Sequence, residues 1–109
     1  MESVTWEKLS LIEQLSHVGA EIHRAEHWEK KRDKESRNKA LERAIDLMDS
    51  ILNNTNLRHR TREITRLREV VCDCYADKGA MDVSLPMLDH YFITFAIYSR
   101  RSTNGNKLL

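Results

Sequence analysis

Proline occurs once in this chain and glycine three times, so there are few points at which a helix must stop. No alternating strand pattern and no internal repeat competes with a helical reading. Cysteine is nearly as scarce. Cys72 and Cys74 are the only two, and two positions along a helix turn their thiols about 200° apart, which excludes a disulfide within that helix. A Cys-x-Cys zinc site would need further ligands at matching spacing, and no second cysteine pair exists. Cys74 is read as a small core residue and Cys72 as a flank residue. Long apolar runs are missing as well: no stretch approaches the roughly eighteen residues of a membrane span. Met1 to Leu15 holds no basic region followed by an apolar run, so the expected location is the cytoplasm, without a membrane partner. Nor does one sign of charge dominate. Eighteen basic against seventeen acidic side chains give +1, so no global field draws the chain to nucleic acid, and any such partner must be met by a local patch.

What is present is amphipathic helix. At 109 residues and 40% hydrophobic content one domain can bury a core without staples. Ser10 and Glu13 have the capping-box spacing, which starts a first helix near Leu11 that runs to about Lys30 with Leu11, Leu15, Val18, Ile22 and Ala25 inward. Trp6 and Leu9 are expected to fold back over the bundle's end. Lys30 to Lys39 carries six basic residues and no apolar one; it reads as a solvated connection with Asp33 or Ser36 as the next N-cap. A second helix spans about Glu35 to Leu52, with Leu41, Ala44, Ile45, Met48, Ile51 and Leu52 inward, and the asparagines from Asn53 end it through left-handed backbone. A third runs from about Arg58 to Tyr75. Ile64, Leu67, Val71 and Cys74 form its core face, with Arg62, Arg66, Glu69 and Asp73 opposite, and Asp77-Lys78-Gly79 stops it. Ser84 caps a fourth, with Pro86 in its first turn and Leu85, Leu88, Phe92, Phe95 and Ser99 inward. It extends to about Arg101. These elements predict an all-α, antiparallel up-down-up-down four-helix bundle over residues 1–101, with 102–109 a frayed tail.

Candidate sites are few. His23 and His27 stand four apart on the first helix but face roughly 120° and 160° from its core seam, and no carboxylate is placed to complete them. Neither cysteine has a histidine within a helical turn and there is no Gly-rich phosphate loop. No catalytic residue, cofactor or metal is therefore assigned. Arg58, Arg60, Arg62 and Arg66, continued by Arg68, crowd the start of the third helix, where cations oppose the macrodipole. In an up-down bundle they share a pole with Arg100 and Arg101. That cluster suits phosphates or an acidic protein; as an ordinary pole it would be solvated and neutralised by Glu2, Glu7 and Glu63. The fourth helix carries Ile93 and Ile97 away from its inward face, with His90 and Tyr98 beside them and Met87 and Tyr91 on one flank. Either a second copy of the chain covers this surface, or the helix is sunk in its own bundle, or the tail or the Trp6 segment covers it. The expected function is a self-associating protein-interaction module, and the alternative is a nucleic-acid-binding accessory protein using the arginine pole.

The string Trp6 to Leu15, then Val18 to Ile22, Arg24-Ala25 and Trp28, resembles the opening of a family of small uncharacterised bacterial proteins. Ala40 to Ala44, Arg62 to Tyr75, Tyr91-Phe92 and Phe95-Ala96 continue the resemblance. It implies a bacterial, intracellular, helical protein and transfers no functional residues.

Overall fold

Side-chain caps set where the first two helices begin, whereas the third starts at Arg60 without one. In a computed structural model, which describes residue 6, residues 8–53 and residues 60–94, α1 spans Leu11–Lys30 and starts on a complete capping box: Glu13 N–H donates to Ser10 Oγ, and Ser10 N–H donates to the Glu13 carboxylate at 2.9 Å. Asp33, rather than Ser36, caps α2, Lys34–Leu52, by accepting from the Ser36 N–H and hydroxyl. The third helix, α3, is Thr61–Ala76, and α4 is helical over residues 85–94 of the described chain. Arg58 lies outside the described residues, as does everything after Thr94.

Between α1 and α2 the chain turns without glycine. Asp33 N–H donates to Trp28 C=O and Arg32 N–H to Glu29 C=O, the paired bonds of a Schellman turn, with Arg32 left-handed at φ 61°. The end of α3 repeats the device, with Asp77 at φ 57° and bonds from Asp77 N–H to Cys74 C=O and from Lys78 N–H to Asp73 C=O. The expected stop at residues 77–79 is thus made by Asp77 itself. Asn53 ends α2 but stays right-handed at φ −76°, so the left-handed expectation does not hold there.

Successive cross-helix contacts run in opposite directions along the chain, which makes each neighbouring pair antiparallel. Glu29 meets Arg37 and Glu21 meets Arg43 between α1 and α2. Glu42 meets Tyr75 and Asp49 meets Arg68 between α2 and α3. Gly19 meets Phe92 and His23 meets Asp89 between α1 and α4, which closes the ring of the up-down-up-down bundle. Its core is the seam the periodicity predicts: Leu15, Val18, Ile22 and Ala25 from α1, Leu41, Ala44, Met48 and Ile51 from α2, Ile64, Val71 and Cys74 from α3, and Leu85, Leu88 and Phe92 from α4. Trp6 packs against this core, and its carbonyl accepts from the buried Gln14 amide at 2.9 Å. Gly19 is needed where α4 crosses α1. A Cβ there would lie 2.8 Å from Phe92 Cβ, an atom fixed to its own backbone, so the two helices approach more closely than alanine allows.

Candidate functional site

The basic stretch Lys30 to Lys39, expected as a solvated connection, is a turn only at residues 31–33, and its Arg37 sits in the first turns of α2 out of solvent. Arg37 is buried. Its Nε donates to Glu29, Nη1 to the Asn38 side chain, and Nη2 to both the Cys74 carbonyl at 2.7 Å and Asp77 at 3.0 Å. One planar guanidinium thereby ties the end of α1, the start of α2 and the end of α3. Lys34 adds an exposed ion pair to Asp77. Asp73, expected on the water face, is buried as well and accepts from the N–H groups of Ala80 and Met81, so it shapes the turn that leads to α4. The Cys74 thiol donates to Val83 C=O, and burial pushes its pKa up, which leaves it a poor nucleophile.

The arginine pole is only partly a cluster. Arg62 and Arg66 are exposed on α3, four residues apart, and have no ion pair among the described residues. Arg60 pairs with Glu63 at 3.8 Å. Arg68 is committed to Asp49 at 2.6 Å, and that hydrogen bond holds its pKa above the ordinary value. Arg58, Arg100 and Arg101 lie outside the described residues.

On α4 the outward side is open. Met87, Tyr91 and Ile93 are 57%, 43% and 42% exposed, and His90 and Thr94 beside them are exposed too. Ile97 and Tyr98, assigned to the same surface, fall outside the described residues. From Val83 to Ser99 the sequence contains one charged residue, Asp89, and that residue is buried. Tyr91 reaches the start of α3: burial raises its hydroxyl pKa, and the Glu63 carboxylate raises it further. Its ring meets Phe92 edge-on at 5.7 Å.

Asp89 overturns one sequence reading. His23 is exposed, as its position on the helix requires, but a carboxylate does reach it: its Nδ1 lies 3.1 Å from both Asp89 oxygens. His27 takes no part and packs edge-on against Trp28 at 5.0 Å. Among the described residues, the side chains spaced to hold a metal are His23, Glu26 and Asp89. The lone charge within the apolar α4 was the sequence signal for this contact, since an isolated carboxylate on such a helix needs a partner.

No helix among the described residues is long and apolar enough to cross a membrane. Neither a family model, nor a curated protein, nor a solved structure matches the chain.

Proposed function

We propose that this protein is a non-enzymatic interaction module that associates with a second copy of itself through the outer face of α4, and in that form engages another protein. The observation that carries the reading is the exposure of an uncharged helix face, Met87 to Ile93, on a chain in which 32% of residues are charged. Solvated helix faces elsewhere in the bundle hold charges of both signs. A face without them favours burial against a like surface. In a twofold arrangement the patch meets itself, so Met87 and Ile93 each contribute twice and no like charges are opposed, while His90 and Tyr91 supply polar groups for the rim. Ile97 and Tyr98 extend the same surface by sequence spacing. Two free thiols suit a reducing compartment, which favours the cytoplasm, and the bacterial setting rests on the resemblance described above.

Light scattering tests the reading directly. The wild-type chain is expected at twice its monomer mass, and Met87→Glu with Ile93→Glu at monomer mass with unchanged helical circular dichroism, because both side chains are exposed. A wild type that stays monomeric at high micromolar concentration removes the proposal.

A second reading, nucleic-acid binding at the start of α3, is favoured by the exposure of Arg62 and Arg66 and weakened by the internal pairing of Arg60 and Arg68. Binding through several phosphates would fall by orders of magnitude with added salt. An anisotropy titration with RNA and DNA that shows no binding at low salt, or binding indifferent to Arg62→Glu with Arg66→Glu, removes it.

A further inference from the structure

We propose that His23, Glu26 and Asp89 form a binding site for a divalent transition metal of the zinc class, joining α1 to α4. His23 and Glu26 are three residues apart on α1 and therefore lie on one face, a turn from each other. Asp89 comes from the facing turn of α4. One donor atom from each of the three lies within 4.8 Å of the others.

Burial is what separates this group from ordinary surface charge. Glu26 and Asp89 are 8% and 6% exposed, so two carboxylates share a poorly solvated seam between helices. The cationic partners available to them are the exposed Lys30, 3.3 Å from Glu26, and the His23 imidazole when it is protonated. Two anions so placed repel each other and lack water, and a dication between them relieves both costs. The spacing also fits. Metal–donor bonds of about 2.0–2.2 Å set neighbouring donors in a tetrahedral site roughly 3.3–3.6 Å apart, and somewhat less at wider coordination. The His23 Nδ1 to Asp89 oxygen separation is already 3.1 Å, and the Glu26 oxygen within 4.8 Å of both is the donor that has to close in for ligation. One nitrogen and two oxygen donors suit zinc, manganese or iron(II) rather than the softer thiolate-bound ions. Because His23 is solvent-exposed, ions have an entry path.

Zinc and, separately, manganese are titrated into chelator-treated full-length protein by calorimetry, with the thermal midpoint as a second readout. One ion per chain and a raised midpoint are expected. Asp89→Asn and Glu26→Gln should each weaken zinc binding by at least tenfold, and His27→Ala should leave it unchanged. In the wild type, nitrogen-15 NMR of the imidazoles should show zinc perturbing the Nδ1 of His23, a result that depends on no variant folding. Absence of stoichiometric binding by either ion at micromolar concentration would mean that the three residues form ion pairs only. Affinity retained in Asp89→Asn, or lost in His27→Ala, would place the ion elsewhere. Either result overturns the proposal.

Discussion

The two ends of α2's neighbourhood and the outer side of α4 obey opposite rules. Around Arg37 every polar group is matched: one buried guanidinium on α2 donates to the Glu29 carboxylate of α1 and to both the Cys74 carbonyl and the Asp77 carboxylate at the end of α3. On α4 the packing is largely apolar, through Leu85, Leu88 and Phe92, and on the opposite face Met87 and Ile93 are exposed and, among the described residues, no Asp, Glu, Lys or Arg stands beside them on the helix. The difference teaches that in this bundle a buried polar junction fixes where three helices end, whereas among the described residues the large exposed apolar side chains are those of one helix.

The sharpest way to break that comparison is at the clamp. Arg37→Ala should cost about 1–3 kcal/mol in urea unfolding, because it removes the hydrogen bonds of a buried guanidinium and empties its place between three helix ends, while its carboxylate partners stay half-exposed. Arg37→Lys should recover little, since an ammonium lacks the planar fork. Met87→Ala, on the open face, should change monomer stability by less than about 0.5 kcal/mol. A clamp variant as stable as the Met87 variant would show that the polar junction contributes nothing. Next comes the crossing of α1 and α4. Alanine is the better helix former by about 1 kcal/mol, yet Gly19→Ala should destabilise by roughly 1–3 kcal/mol, because its methyl meets Phe92 Cβ. A gain in thermal midpoint would mean that the helices part easily.

The smallest effect concerns pH. Glu13 and Asp33 both have lowered pKa values, chiefly from accepting backbone N–H bonds of Ser10 and Ser36. Since the folded values lie below the unfolded ones, which are about 4, the caps contribute fully above that pH and progressively less as pH falls through the folded values. Urea midpoints should therefore be flat from pH 7 to about 5 and decline below about 4. Ser10→Ala should shrink the decline. A midpoint unmoved by acid would show the caps to be energetically silent.

Most of the bundle was legible because burial of apolar residues repeats with the helix. The α1 seam, its capping box, the core face of α3 and the inward Leu85, Leu88 and Phe92 all follow from spacing alone. Arg37, Asp73, Glu26 and Asp89 did not, since periodicity marks where apolar residues belong and is silent on which polar residue finds a partner across the fold. Arg37 sits in a run of lysines and arginines that looks uniformly solvated, and its carbonyl partner at Cys74 is thirty-seven residues away. The left-handed positions were missed for a related reason. Arg32 occupies backbone that glycine would take with less strain, so composition gave no hint of that turn, whereas the stop at residues 77–79 was expected and only the left-handed role of Asp77 was not.

The union of α1 with α4 has a kinetic side. His23 and Asp89 are sixty-six residues apart, whereas the α1–α2 and α2–α3 contacts join chain neighbours. Closing the long loop carries the larger entropy cost, so the two hairpin-like pairs are expected to form first, with α4 docking onto them. What docks last is also released most readily, and among the described residues α4 is held by the apolar side chains of Leu85, Leu88 and Phe92, by the His23–Asp89 contact and by Tyr91 at the start of α3. Its amides should then exchange with solvent earlier than those of α1 and α2, through a partial opening that leaves the rest folded. In that opened form Leu85, Leu88 and Phe92 join the exposed Met87 and Ile93. The same helix could then be exchanged between two chains, a route by which association and folding become one process.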